Sequence, residues 1–151
     1  MPMTEQWSAN LVDDDAGLTR ILQDARTVAV LGAKPQPSAP AHYVPAYLAR
    51  VGYRVLPVNP TFVGTRILGE PVVATLADLP DPLDVIDVFR RPAFLPGHAA
   101  EILALPRRPA VVWFQLGIRN DAAAERLARA GIRVVQDRCM MPEHRRLVRA
   151  P

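Results

Sequence analysis

Apolar residues in this chain come in short bursts separated by polar or proline-bearing stretches. Five bursts are rich in valine: 27–32 (TVAVLG), 53–58 (YRVLPV), 84–89 (DVIDVF), 110–115 (AVVWFQ) and 132–137 (IRVVQD). Several are apolar at nearly every position, the mark of strands buried on both faces of a parallel sheet. Leu18, Ile21, Leu22 and Ala25 instead recur at helical spacing, which predicts a short helix over 14–26. Asp13, Asp14 and Asp15 suit the positive end of its dipole. Further helices are predicted over 41–51, 92–105 and 121–130. Gly52 and Gly131 fall where helix C-terminal glycines are expected, and Asn120 or Asp121 can act as an N-cap.

Strands alternating with helices define a doubly wound α/β fold. The expectation is a mainly parallel sheet of about five strands with helices on both faces. The crossover at 59–83 carries four prolines and two glycines, so it reads as a loop-rich connection with room for one helical turn near Thr75. Residues 1–12 show no period and are predicted to form a loose tail.

Length and composition add bounds. A chain of 151 residues is read as one domain, 1–151. The 16 prolines are about twice the usual ~5% share, but they punctuate apolar runs and do not form a disordered tract. The apolar stretches fall far short of the ~20 residues of a membrane helix, and the N-terminus lacks a basic flank followed by an apolar run. A cytoplasmic protein without a membrane partner is expected. Cys139 is the only cysteine, which excludes an internal disulfide and a cysteine-rich zinc site, and no metal constellation is visible.

Charge is unevenly spread. Six basic and ten acidic residues precede Phe89, for a net charge of −4, whereas twelve basic and five acidic residues follow from there, for +7. A basic second half suggests an anionic partner. For most of these arginines, including Arg107, Arg108, Arg126, Arg129 and Arg133, a solvated surface face is the simpler reading.

In an open parallel sheet, ligands bind beyond the carboxyl ends of the strands where strand order reverses. The residues just past each burst therefore carry the functional signal. After the first come Gly32, Ala33, Lys34, Pro35 and Gln36, and Lys34 is the one lysine of the chain. Gly32 allows close backbone approach, Ser38 can cap the next helix, and Pro40 suits a first turn. Pro45 would push the regular helix start later. After the second burst come Asn59 and Pro60. The third ends in Val88 and Phe89, followed by Arg90 and Arg91, and the fourth in Gln115, Leu116 and Gly117. Lysine, arginines and backbone amides along one rim suit a phosphate-bearing ligand. Trp113 and Phe114 read as core.

The first loop is neither G-x-G-x-x-G nor G-x-x-x-x-G-K-[ST], which argues against a P-loop nucleotidase. A carboxylate usually ends the second strand of an NAD site, and Asn59 stands there instead. Asparagine tolerates a phosphorylated ribose, as in NADP or coenzyme A.

With these strand ends in view, the sequence resembles the small stand-alone CoA-binding proteins, which are similar to the N-terminal domain of the succinyl-CoA synthetase alpha subunit. The segments that carry the resemblance are TVAVLGAKPQPSAPAHYVPAYL, GYRVLPVNPTFVG, LDVIDVFRRP, VVWFQLGIRN and VVQDRCMMPEHRRL. The resemblance implies a Rossmann-like sheet that holds coenzyme A or an acyl-CoA at its strand ends. It implies contacts from Gly32, Ala33, Lys34, Pro35, Gln36, Asn59, Pro60, Val88, Phe89, Arg90, Arg91, Gln115, Leu116 and Gly117, with Tyr43 and Cys139 at the edge of the site. On this reading the phosphates lie at the first loop and the arginines, the adenosine toward Asn59, and the pantetheine arm toward Gln115 and Gly117. The phosphohistidine domain of the synthetases has no counterpart in the sequence, so no independent activity and no catalytic residue is expected. A homo-oligomer or a protein partner stays open.

Two rivals remain. An NADP-binding redox module shares the same strand-end chemistry. A nucleic-acid binder would draw on the arginine-rich half, although no nucleic-acid motif or aromatic interleaving supports it. Cys139 with His144 or His42 could form a thiol–imidazole pair only through direct contact. Asp84 and Asp87 point to opposite faces of their strand, and Asp87 needs a partner such as an arginine or a backbone amide.

Overall fold

In a computed structural model that describes residues 3–80 and 82–148, the valine-rich bursts are strands. In chain order the strands are β1 (Thr27–Leu31), β2 (Arg54–Val58), β3 (Arg66–Ile67), β4 (Glu70–Pro71), β5 (Val85–Val88), β6 (Val111–Phe114) and β7 (Arg133–Val135). The helices are α1 (Asp15–Asp24), α2 (Pro40–Arg50), α3 (Leu95–Leu103), α4 (Asp121–Arg129) and α5 (Met140–Leu147). Five strands form one sheet in the order β2-β1-β5-β6-β7, parallel throughout. The fold is thus the Rossmann-like α/β arrangement expected from the sequence.

Continuous apolar strands are explained by two cores, one on each side of the sheet. Ala29, Leu31, Ile86, Val88 and Phe114 pack against α3 and α4 on one face. Val28, Val30, Val85 and Trp113 pack with residues of α1, α2 and α5 on the other. The two-residue side-chain period of a strand requires both faces to be apolar if both are covered. Trp113 and Phe114 are fully buried core residues on opposite faces, as read from the sequence.

Local chemistry sets the helix ends. Asp14 caps α1 by accepting from Gly17 N at 3.2 Å, and Asn120 caps α4 by accepting from Ala123 N at 2.9 Å. Gly52 and Gly131 follow the C-caps of α2 and α4 with φ of +110° and +89°. The loop-rich crossover holds one 3-10 turn, Leu76–Asp78, where Asp78 accepts from Thr75 N at 3.1 Å. No helix among the described residues is long and apolar enough to cross a membrane.

Four expectations need correction. The stretch read as a loose tail is docked. Met3–Asn10 is a 3-10 helix whose Trp7 packs on the core and lies under Arg129, 4.7 Å from guanidinium carbon to ring centroid. Asn10 Nδ2 donates to Ala128 O at 2.9 Å, and Val12 N donates to Val134 O at 2.9 Å. These contacts are tertiary and leave no periodic trace. Residues 1 and 2 lie outside the described residues. Second, α5 has no counterpart among the predicted helices, because MMPEHRRL is short, polar and contains Pro142. Its start bears Cys139 as N-cap, and its buried residues are Met140 and His144. Third, α2 begins at Pro40 with Ala39 as N-cap, so Ser38 does not cap it and Pro45 does not delay it. Fourth, the 92–105 helix divides into a 3-10 turn, Pro92–Phe94, and α3, while the crossover contains a β3–β4 hairpin.

Candidate functional site

Strand order reverses at β1, which lies between β2 and β5. From β1 the chain moves outward to β2, then returns to build β5 on the other side. The loops that follow β1 and β5 therefore leave in different directions and open a crevice between them. A cleft of about 450 Å³ occupies that place. It is lined by Lys34, Tyr43, Phe89, Arg90, Arg91, Gln115, Leu116 and Cys139, and by Ala39, Pro40, Ala41, Val44, Pro92 and Ile118. Half of the sixteen residues expected at a site line this single cleft. Of the wall supplied by α2, Tyr43 was expected at the site's edge, whereas Pro40, Ala41 and Val44 were not.

The remaining eight stand around the cleft in other capacities. Gly32 has φ +95°, and a Cβ there would lie 2.6 Å from Phe89 O, so glycine is required where the two switch-point loops cross. Its N–H donates to Val58 O at 2.8 Å. Ala33 is buried, and its carbonyl accepts from Asn59 Nδ2 at 2.9 Å. Asn59 is itself buried and also accepts from Thr61 N at 3.0 Å, so its amide ties the first two loops together. Pro60 opens an exposed 3-10 turn. Val88 is fully buried in the core. Pro35 and Gln36 extend the first loop outward, with Gln36 O accepting from Ala39 N at 3.0 Å. Gly117 N donates to Asp137 Oδ1 at 2.6 Å, which binds the loop after β6 to the one after β7.

The cleft gathers three cations at one rim. Arg129, Arg138 and Arg146 pair with Glu125, Asp13, Glu143 and Asp15, and Arg119 pairs with Asp121. Among the described residues no ion pair engages Lys34, Arg90 or Arg91. Arg90 Nε is buried without a hydrogen-bond partner. Such a donor is costly to leave unsatisfied. Tyr43 and Leu116 add exposed apolar surface beside these cations, with Leu116 70% exposed.

Beneath the cleft lies an ionisable group that sequence reading left without a partner. Asp87 is fully buried on β5, opposite Trp113 of β6 and Val30 of β1. Its partner is a side-chain amide: Gln115 Nε2 donates to Asp87 Oδ1. Asp87 Oδ2 has none. Burial pushes the Asp87 carboxyl up to about 8, opposed by the Gln115 hydrogen bond. Asp84 lies at the other end of β5, where its Oδ2 accepts from Arg26 N at 2.7 Å and Thr27 N at 3.0 Å.

Among the described residues no hydrogen bond joins the Cys139 thiol to His144 or His42. His144 Nδ1 is 2.8 Å from Tyr47 Oη, and its ring meets those of Tyr47 and Tyr53 edge-on. His42 Nδ1 lies 2.8 Å from Lys34 O. Burial pushes the Cys139 thiol above its usual range, away from the thiolate form.

Comparison with known proteins assigns the chain to a family. Residues 26–145 match the CoA binding domain family, and the chain belongs to it. It is 35% identical over 129 residues to the uncharacterized protein YneT of Bacillus subtilis (strain 168), covering 85% of this chain and 93% of that protein. A solved structure from Thermus thermophilus is 54% identical with a TM-score of 0.85, covering 89% of this chain and 99% of that one. A hypothetical protein from Pyrococcus horikoshii OT3 is 34% identical with a TM-score of 0.83, covering 90% and 93%.

The residues present fit such a ligand. Coenzyme A presents phosphates, a ribose and base, and a long amide-bearing arm that ends in a thiol. The cleft offers three cations outside any ion pair, an apolar wall and Gln115.

Proposed function

We propose that this chain binds coenzyme A, free or acylated, in the cleft between the loops after β1 and β5. Lys34, Arg90 and Arg91 hold the phosphates. The adenosine lies toward the loop anchored by Asn59 and Pro60. The pantetheine arm follows Gln115, Leu116 and Gly117, which brings the thiol end toward Cys139. Gly32 and Ala33 act by holding the loop in place, and Val88 by supporting Phe89 from the core.

One observation carries the reading: Lys34, Arg90 and Arg91 line one cleft at the switch point, and no ion pair among the described residues engages any of them. Unpaired cations clustered at a crevice repel one another, and an anion of two or more charges relieves that repulsion. Binding, and not a reaction of the chain's own, is the function proposed. The elevated thiol of Cys139 and the engagement of His144 with Tyr47 both favour binding alone.

Parallel calorimetric titrations with CoA, NADP and a mixed oligonucleotide test this. Saturable one-to-one CoA binding, with affinity about tenfold or more above NADP and the oligonucleotide, is expected. NADP binding as tight as CoA, or no CoA binding at all, would overturn it.

A further inference from the structure

Pro45 lies inside α2, where proline is ordinarily excluded. It has no N–H, so the carbonyl of Ala41, four residues earlier, loses its helical donor. The backbone N–H of Lys34 takes that place, donating to Ala41 O at 3.3 Å. The next residue of the helix completes the arrangement. His42 Nδ1 lies 2.8 Å from Lys34 O. A carbonyl only accepts, so the ring nitrogen carries the proton and donates. Both backbone groups of Lys34 are therefore held by the first turn of α2. On the preceding residues, Asn59 holds Ala33 O and Val58 holds Gly32 N. The Lys34 side chain stays exposed and reaches the cleft wall.

We infer that Pro45 and His42 are positioning residues for cofactor binding: together they clamp the backbone of Lys34 so that its ammonium faces the cleft before the ligand arrives. The inference rests on the cleft being the CoA site. The physical gain is preorganisation. A loop already fixed by four hydrogen bonds has less conformational freedom to lose when an anion docks. The helix gives up one internal hydrogen bond at Pro45, and a loop amide recovers it.

Pro45→Ala restores an N–H that competes with Lys34 for Ala41 O, and His42→Ala removes the other half of the clamp. Each is expected to weaken CoA binding about three- to tenfold in the native background. Neither is expected to weaken it further in a Lys34→Ala background, because the clamp acts through Lys34. His42→Asn, which places an amide donor near the position of Nδ1, is expected to recover most of the affinity. Amide hydrogen exchange at Lys34 is expected to be protected in the unaltered protein and faster in Pro45→Ala, while the melting temperature holds or rises. A general packing defect would instead lower affinity equally in both backgrounds. That result, unchanged affinity, or an unprotected Lys34 amide in the unaltered protein would overturn the clamp. Absence of CoA binding by the unaltered protein would instead refute the reading of the cleft.

Discussion

Replacing Asp87 with asparagine should flatten a pH dependence that the buried carboxyl imposes on stability. Asp87 is fully buried and has one oxygen unpartnered, and burial pushes its carboxyl from 3.8 to about 8. Between those values the folded protein keeps a proton that the unfolded chain has released. The unfolded state binds fewer protons there, so stability falls as pH rises through that window and levels off above it. The slope is about 1.4 kcal/mol per pH unit for one proton, so the loss from pH 5 to pH 7 is about 3 kcal/mol. The asparagine side chain would keep the shape of the neutral acid and still accept from Gln115 Nε2, yet it cannot ionise. Urea denaturation of both proteins at pH 5, 6, 7 and 8 measures the difference. The Asp87→Asn variant is expected to match the parent near pH 4 and to exceed it by about 3 kcal/mol more at pH 7 than at pH 5. A difference that stays constant over this range would refute the claim that Asp87 is protonated in the fold.

Three further expectations concern the cleft. Gly32→Ala puts a Cβ 2.6 Å from Phe89 O on a backbone with φ +95°, so it should destabilise by about 2 kcal/mol or more in chemical denaturation; a neutral effect would show that the loops do not cross tightly. Lys34→Ala and Arg90→Ala each remove an unpaired cation and should weaken CoA binding about tenfold or more, with a shallower salt dependence in calorimetry; equal binding by both variants and the parent would remove these residues from the site. Cys139 lines the cleft, and its thiol is pushed up by burial, so alkylation followed by mass spectrometry should be slow at pH 7 and slower still with CoA present; fast labelling unaffected by CoA would place the thiol elsewhere.

How much of this was legible in the sequence depends on whether a feature is local. Valine-rich runs with no polar alternation marked β1, β2, β5, β6 and β7, because strands buried on both faces carry their environment in their own composition. The cap at Asn120 was equally local, and Asp14, which caps α1, lies in the acidic run read as favourable to that helix's start. Lys34, Arg90 and Arg91 were expected near one another because a parallel sheet sends its ligands to the strand ends, and all three line one cleft. The docked N-terminal segment was not legible, since Trp7 and Asn10 find their partners on α4 through long-range contacts. Neither was the role of Pro45, whose missing N–H matters only once Lys34 is beside it in space. Asn59 stood at the right strand end, but its amide is taken up by Ala33 and Thr61, a use that the residue type alone does not reveal.

A crystal structure of the protein grown with CoA examines the central claim most directly. The account requires the diphosphate to lie within hydrogen-bonding distance of Lys34 and Arg90, with the thiol end on the Gln115 side of the cleft. CoA seated instead in the separate cavity beside Trp7 and Arg119, or bound with Lys34 and Arg90 both turned away from its phosphates, would contradict it.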